Sequence, residues 1–531
     1  MKLSNIATLI AATCLSTAAF ADIDKHRFII KIDNTNKPIV KALAKKLGAT
    51  IKVDGNGFFS AKFDGKGLAD VKGLLNNSNI RLIEVDQPRY LLSSSSSSIE
   101  TTSTTTSYQD DNGDPMDTQI TPYGVYQAQA DQVSFNSNAG IKVCIIDSGL
   151  DSTASDFNWN NISGDNDSGT GNWYDNGGPH GTHVAGTVAA TDNDIGVVGM
   201  APEVDLHIIK VFNEDGWGYS SDLASAAQLC QDAGANIISM SLGGSGSSTT
   251  ESEAFQSFAD AGGLTVAAAG NDGNSNRSYP AGYDSVMMVG AVDNDNSIAD
   301  FSQYPSCSSN QDCVEITAAG VNVLSTYPEG TATMAFLTAD DVNIENTAME
   351  NTGTVTNAAS YYMGTAESVD TNANGKVCLI DRGNNSFYDK VANCEASGGL
   401  GAVIINNESG ALSATLGDDN DTSIPATGVD YDDRSAVLSA SSFSLNIGLG
   451  DYGYMSGTSM ATPAVSGVAA LVWSNHNECS GEEIRNALTQ SALYPGTDAS
   501  AHDVYYGYGI VQAASADEYL TSNPCTGTTS E

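Results

Sequence analysis

Basic side chains are scarce in this chain. Among 531 residues, 22 lysines and arginines stand against 64 aspartates and glutamates, a formal charge of −42 at pH 7. A surface of that sign repels phosphate backbones, which excludes nucleic acid as a partner of the main body. The imbalance is local: residues 22–92 hold 13 Lys and Arg against 8 Asp and Glu, and residues 93–531 hold 8 against 56. Long apolar runs are missing too. The run IATLIAATCL at 6–15 is too short to span a bilayer. Lys2 precedes it and Ala19-Phe20-Ala21 closes it, the pattern of a secretory signal peptide over 1–21, cleaved before Asp22. Cys14 follows Thr13, which argues against a lipid anchor there. The expected product is secreted and extracellular, without a membrane span, and works as a monomer. Histidine is rare as well, with six in the chain.

Nine cysteines less Cys14 leave eight, an even number that, with export, favours disulfides over metal thiolates. Cys307 and Cys313 close a small loop, and Cys378 and Cys394 flank a strand and a helix. For the remaining four, Cys144–Cys230 and Cys479–Cys525 are the favoured pairs. Sequence alone leaves the connectivity open.

Residues 22–92 run RFIIKI, KPIVKALAKKLGA, LADVKGLLNN and IRLIEVD. That reads as strand, helix, helix and strand in a small two-layer α+β unit. The following SSSSSSIETTSTTTSYQDDNGDP is almost without apolar residues and predicts an exposed, cuttable linker over 93–117. From 118 onward apolar strands such as IKVCIID and ANIISMSL alternate with helices such as HGTHVAGTVAAT and SDLASAAQLCQDAG. The alternation implies an α/β body, a parallel sheet with helices on both faces. Ligands in such sheets bind beyond the carboxyl ends of the strands, where Asp147 and Asn271 fall. The rhythm breaks near 330 and resumes near 449. Between 332 and 448, GKVCLIDRGNNSFYDKVANCEASGGLGAVIINN supplies its own strands and helix, so an inserted domain is expected. The main body is then discontinuous, 118–331 and 449–524, with a tail at 525–531.

In SGTSMATPAVSGVAALVW (456–473) Ser459 stands where a loop enters a long apolar helix. A hydroxyl there is exposed at an anion-friendly helix start; the plainer role is an N-cap, filled by Ser459 or by Thr458. Serine becomes a nucleophile only beside a base, and the base needs an orienting carboxylate. His180 is the candidate base and Asp147 the candidate orienter, while the Asn271 amide suits a developing oxyanion. His180 and His183 lie three apart, but a zinc site needs a third His or Cys close by, and none accompanies them.

The order Asp147, His180, Asn271, Ser459, with the motifs IIDSGLD, HGTHVAGTVAA, SMSLGG, VAAAGNDG and GTSMATP, resembles the subtilisin family of serine proteases. The resemblance covers about 119–330 and 449–515. It implies a subtilisin-like three-layer fold and a serine endopeptidase. In it His180 is the base, His183 is structural, and Asn271 and the Ser459 N–H form the oxyanion hole. It also implies substrate-lining strands at Gly216, Gly218, Tyr219, Ser241, Leu242 and Gly243, with a broad preference for large apolar residues before the cut. A structural calcium site follows from the same family, at Gln119, Asp156, Asn193 and the carbonyls of Thr191, Ile195 and Val197. The chain departs from the family pattern at Ala464, usually histidine, and in DSTASDF, which lacks a common His-Pro; neither position belongs to the triad.

The insert resembles a protease-associated (PA) domain. Residues 22–92 resemble the propeptide inhibitor of subtilisins, which makes the chain a self-processed zymogen. The expected first cut is at Leu92–Ser93, with further trimming to about Asp117 so that Gln119 reaches calcium. The rival class is a secreted binding protein on a dead protease scaffold, and the four filled catalytic positions argue against it. An α/β-hydrolase esterase is excluded because no Gly-x-Ser-x-Gly surrounds Ser459.

Overall fold

The computed structural model describes residues 26–92 and 108–525, apart from 112, 168, 213–215, 308–312, 350, 409–411, 413, 418–419 and 496–501. The expected signal peptide, linker residues 93–107 and residues 526–531 lie outside them. In the N-terminal unit β1 (Arg27–Ile32), α1 (Lys37–Lys46), β2 (Thr50–Val53), β3 (Phe58–Lys62), α2 (Leu68–Leu74) and β4 (Ile80–Val85) follow one another, and β5 (Pro88–Leu91) leaves the unit. The four strands pair in the order β2-β3-β1-β4. The β2–β3 hairpin, turning through Asp54-Gly55-Asn56-Gly57, was not expected from the pattern. RFIIKI is apolar at four of its six positions, on both faces of the strand, because the sheet buries both. Phe28, Ile30 and Ile32 meet Val40, Ala44 and Val71 of its own helices, while Ile29, Val53 and Phe58 meet Ala224 of the main body.

The main body begins with β6 (Gln119–Ile120), α3 (Tyr123–Gln127), β7 (Lys142–Asp147), β8 (Ile162–Asn166), α4 (Pro179–Ala189), β9 (Gly196–Val197), β10 (Asp205–Lys210), β11 (Trp217–Tyr219) and α5 (Ser220–Asp232). It continues through β12 (Ile237–Met240), β13 (Leu242–Gly243), α6 (Thr249–Asp260), β14 (Leu264–Ala268), β15 (Val286–Val292), β16 (Val314–Ala319) and β17 (Val323–Thr326). Seven strands form one parallel sheet, β16-β15-β14-β12-β7-β10-β8. Strands buried on both faces read as unbroken apolar runs. Val143, Ile145, Leu206 and Val266 point into a core shared with α4 and the long helix that carries Ser459. Cys144, Ile146, Ile209 and Ile238 point the other way, against Leu223, Phe255 and Phe258 of α5 and α6. These are the three layers.

The insert contains β18 (Ala332–Ala339), β19 (Val342–Ile344), β20 (Asn346–Ala348), β21 (Gly353–Tyr362), β22 (Val377–Asp381), α7 (Phe387–Ala396), β23 (Gly401–Ile405), β24 (Ala426–Val429), α8 (Arg434–Ser439) and β25 (Ser442–Gly450). Its eight-stranded sheet has separate cores on its two faces. The chain returns through β26 (Tyr452–Met455) into α9 (Thr458–Asn475), α10 (Gly481–Gln490) and α11 (Ala513–Ser522). Because β17 pairs with β26 and Ala332 with Gly450, the insert hangs from an antiparallel ribbon. Disulfides join Cys144 to Cys230, Cys307 to Cys313, Cys378 to Cys394 and Cys479 to Cys525.

Residues 108–111 and 113–117, expected within the linker, lie against the main body. Tyr108 packs on the α9 core and donates its N–H to Asn294 O at 2.9 Å. Asp110 accepts from Tyr123 N at 2.7 Å and Tyr454 Oη at 3.0 Å, and Asp111 accepts from Thr121 N at 3.1 Å. Aspartates that read as solvated charge serve here as acceptors for the free N–H groups at the start of α3. Gln119 already pairs with Gly196 in this arrangement, so no trimming to Asp117 is needed to bring it into place.

Candidate active site

Asp147 ends β7 at the carboxyl edge of the sheet. The turn after it passes Gly149, whose φ of +101° requires glycine. Helix α4 opens with Pro179 in its first turn, where the missing N–H costs nothing. Gly181 lets the helix lie against that turn, since a Cβ there would strike Gly149 O and come within 3.1 Å of Asp147 Oδ1. His180 therefore meets Asp147, with Nδ1 2.9 Å from Oδ1 and 3.1 Å from Oδ2. Asp147 is fully buried and accepts a second hydrogen bond from Ser148 N at 2.7 Å. Among the described residues, the buried His180 Nε2 atom has no hydrogen-bond partner.

Helix α9 starts at Thr458 with Gly457 as its N-cap, so neither Thr458 nor Ser459 caps it. Thr458 has a different task. Its N–H and its hydroxyl both donate to Asn271 Oδ1, at 2.9 and 2.8 Å, which fixes the amide with Nδ2 facing the cleft. Gly457 keeps that place open, because a Cβ there would lie 2.9 Å from Asn271 Nδ2. The Ser459 hydroxyl lies 2.8 Å from Leu92 O and 3.1 Å from Ser241 O, and Ser241 Oγ donates to Ser459 O at 2.6 Å.

The end of the N-terminal unit, residues 88–92, fills the cleft. Strand β5 lies antiparallel between β11 and β13: Pro88, Arg89 and Tyr90 face Tyr219, Gly218 and Trp217, and Tyr90 and Leu91 face Gly243 and Leu242. Leu91 N donates to Gly216 O at 2.9 Å. The strand delivers the Leu92 carbonyl to two donors, Asn271 Nδ2 at 2.9 Å and Ser459 Oγ. Of the expected oxyanion donors, the Ser459 N–H makes no hydrogen bond to Leu92; the carbonyl is held by side chains. Ser93 lies outside the described residues.

Side chains reinforce the strand. Glu84 accepts from Thr249 N and Thr250 N, each at 2.9 Å, at the start of α6. Asp86 accepts from Ser221 N at 2.9 Å at the start of α5. Carboxylates at helix N-termini meet free N–H groups and the positive end of the dipole. Arg27 bonds Asp86 at 2.6 Å and Asp222 at 3.0 Å while lying 3.7 Å over the Tyr219 ring. Arg89 is wholly buried against Glu251. The sequence reading missed Glu84, Asp86, Asp222, Glu251 and Thr458. Only Glu84 and Asp86 left a signal, two acids at one end of a basic unit.

His183, one turn beyond His180, is fully buried with Nε2 2.9 Å from Val323 O. Burial pushes its pKa down to about 3. The two imidazoles are thus engaged separately, one on Asp147 and one on β17. Cys307, Cys313 and His502 form a cluster of ligating residue types among the described residues, but the two cysteines are joined to each other.

The residues expected around calcium also gather. Asp156 Oδ1 accepts from Asn193 Nδ2 and Oδ2 from Val197 N, both at 2.9 Å. Thr191 N donates to Asp156 O at 3.1 Å, and Gln119 Oε1 accepts from Asn193 N. Burial raises the Asp156 carboxyl to about 6, and among the described residues Thr191 Oγ1 is buried without a partner. A Cβ on Gly196 would collide with Asp156 Oδ2. The half-exposed Ile195 offers its carbonyl on the same loop. Both oxygens of this buried carboxylate are engaged by N–H donors, and no basic side chain is among these partners.

Known proteins resemble this sequence and fold. A family model described as the subtilase family matches residues 138–368 and 406–509, and a PA-domain model matches 338–437. Subtilisin DY of Bacillus licheniformis is 41% identical over 222 residues, 40% of this chain and 78% of that protein. Subtilisin BL of Lederbergia lenta is 39% identical over 219 residues, 40% of this chain and 77% of that protein. The crystal structure of a psychrophilic subtilisin-like protease from the Antarctic psychrotroph Pseudoalteromonas sp. AS-11 superposes with a TM-score of 0.64 at 39% identity. It covers 77% of this chain and 100% of its own.

Proposed function

The chain belongs to the subtilase family of serine-type endopeptidases, and on that footing we propose that Asp147, His180 and Ser459 are its catalytic triad. One observation carries the assignment: a peptide carbonyl of the chain itself, Leu92 O, lies between Ser459 Oγ and Asn271 Nδ2. The hydroxyl now directed at Leu92 O and Ser241 O turns toward His180, and Nε2 takes its proton as Oγ attacks the carbonyl carbon. Asp147 holds Nδ1–H and steadies the imidazolium. Asn271, aimed by Thr458, meets the developing oxyanion. The proton passes to the leaving amine, and water releases the acyl-enzyme.

The same contact makes Leu92–Ser93 the first self-cleavage site and residues 22–92 an inhibitor that stays in the groove as a product. Further trimming stops before Tyr108, where the chain is already bound. The leucine side chain lies beside Gly243, in keeping with a preference for large apolar residues before the cut. Gln119, Asp156, Asn193 and the carbonyls of Thr191, Ile195 and Val197 are the residues that would hold calcium, whose charge would offset that of Asp156 between β6 and the loop before β9. The insert, joined by a ribbon that ends just before Ser459, contacts large substrates. The enzyme acts outside the cell as a monomer.

A labelled fluorophosphonate reacts at Ser459 of the mature enzyme, and the Ser459→Ala precursor keeps residues 22–92 attached. Loss of the prosegment from pure Ser459→Ala protein would overturn the assignment.

A further inference from the structure

We propose that this enzyme selects arginine at the fourth position before the cleaved bond, through a pocket built by Glu251 and Tyr283. The proposal rests on Leu92–Ser93 being the bond presented to Ser459, which makes Arg89 the fourth residue.

Arg89 is fully buried in a strand whose backbone pairing needs no particular side chain. Its Nε donates to Glu251 Oε1 at 2.9 Å, and Nη2 to Glu251 Oε2 and, at 2.8 Å, to Gly246 O. Nη1 donates to Pro88 O at 2.8 Å. Tyr283 Oη donates to Glu251 Oε2 at 2.7 Å and accepts from Ser248 N at 2.8 Å, which aims the carboxylate. Gly244 gives the guanidinium room, since a Cβ there would lie 3.2 Å from Nη1.

An apolar side chain would fill such a space without the cost of desolvating two charges, so the pair is a device of specificity. Its two halves part when the prosegment leaves. Glu251 then keeps Tyr283 alone of these side-chain partners, with its charge facing the groove. A peptide substrate entering between β11 and β13 takes the same strand register, and its fourth residue arrives at Glu251. The bidentate fork and the Gly246 carbonyl match the planar guanidinium better than an ammonium, so lysine is the weaker ligand. An acidic residue meets like charge.

The test uses mature wild-type enzyme and the fluorogenic peptides acetyl-X-Tyr-Leu-Leu-aminomethylcoumarin, with X as Arg, Lys, Leu or Glu, and casein as a control. The expected kcat/KM for Arg exceeds that for Leu by about 30-fold or more, with Lys between them and Glu lowest. Glu251→Gln collapses the Arg-to-Leu ratio toward one, whatever it does to the overall rate. Should that variant fail to fold, the wild-type series decides alone. Casein hydrolysis with equal rates for Arg and Leu overturns the pocket. So does an arginine dependence confined to prosegment inhibition, which would make Arg89 an anchor and not a model of substrate. Absence of both casein hydrolysis and Ser459 labelling overturns the proteolytic reading beneath it, and the pocket with it.

Discussion

The cleft and the wall behind it are built from the same two residue types. Asp147 and Asp156 are both buried carboxylates, and His180 and His183 are both buried imidazoles one helical turn apart. In the cleft the two types meet: Asp147 holds Nδ1 of His180, and Nε2 has no partner among the described residues. In the wall they are kept apart. His183 spends Nε2 on the Val323 carbonyl, and Asp156 gathers the N–H groups of a loop. Each ring keeps one buried nitrogen without a hydrogen-bond partner among the described residues, so what separates them is what the other nitrogen holds: a carboxylate in the cleft and a main-chain carbonyl in the wall. Each residue can therefore be removed with a different expected symptom.

The largest effect belongs to His180→Ala. Without the base the loss in kcat is on the order of 10⁶-fold, a magnitude established on subtilisin and not deduced from this geometry. The variant also takes the Nδ1 donor from the buried Asp147, so a stability loss of roughly 1–3 kcal/mol should accompany the loss of rate. Single-turnover acylation checks it. A comparable loss in a well-folded His183→Gln enzyme would break the comparison and exchange the two roles.

His183→Gln should instead cost stability, roughly 1–3 kcal/mol for a buried hydrogen bond disturbed in a packed site. Its pH dependence sharpens the point. The folded-state pKa of about 3 lies below the unfolded value of about 6.5. Over that interval the unfolded chain binds the extra proton, so His183 costs the fold nothing above pH 6.5 and destabilises it progressively as pH falls toward 3. The Gln variant lacks this component. Denaturant titrations of the Ser459→Ala precursor, with and without His183→Gln, should show the gap between them narrowing as pH drops from 7 to 4. A constant gap would mean that His183 does not titrate as a buried neutral ring.

Calcium removal tests the other wall residue. A cation bound only by the folded state at about 100 times its Kd contributes about 2.7 kcal/mol, which for a body of this size is about 3–5 °C in melting temperature. Chelation should lower the melting temperature of active-site-blocked enzyme by that order, and Asp156→Asn should abolish most of the difference. A melting temperature indifferent to chelator in the wild type removes the cation from the site.

The cleft was the more legible region in the sequence, for a physical reason. Asp147, His180, Asn271 and Ser459 sit at strand ends and helix starts, where local backbone geometry demands the glycines and small residues that make motifs. What escaped depends on residues far apart in the chain. Glu251 reads as one more acid on an acidic helix, and only Arg89, 162 residues away, gives it a partner. The prosegment hairpin was hidden because its strands are short and Thr50–Val53 is only partly buried. Tyr108 to Asp117 read as solvated linker because aspartates that cap N–H groups look, in one dimension, like aspartates in water.

The smallest effect concerns how the prosegment finds the groove. Its charge is opposite to that of the rest of the chain, so the two fields attract before contact and raise the association rate. Once docked, the pairs differ in exposure. Arg89–Glu251 and Arg27–Asp86 are buried, where salt screens little, whereas Lys31 meets Glu253, a side chain still 59% exposed. Prosegment added in trans to mature enzyme should therefore inhibit it with an on-rate that falls about tenfold or more as salt rises from 0.1 to 1 M. Over that range the Debye length shrinks from about 10 Å to about 3 Å. The off-rate should move much less, because strand pairing and the buried pairs govern it. Stopped-flow inhibition at several salt concentrations separates the two rates. A salt-independent on-rate would remove the steering while leaving the inhibitor intact. An off-rate that rises as steeply as the on-rate falls would show that exposed charges, and not the buried pairs, hold the prosegment in place.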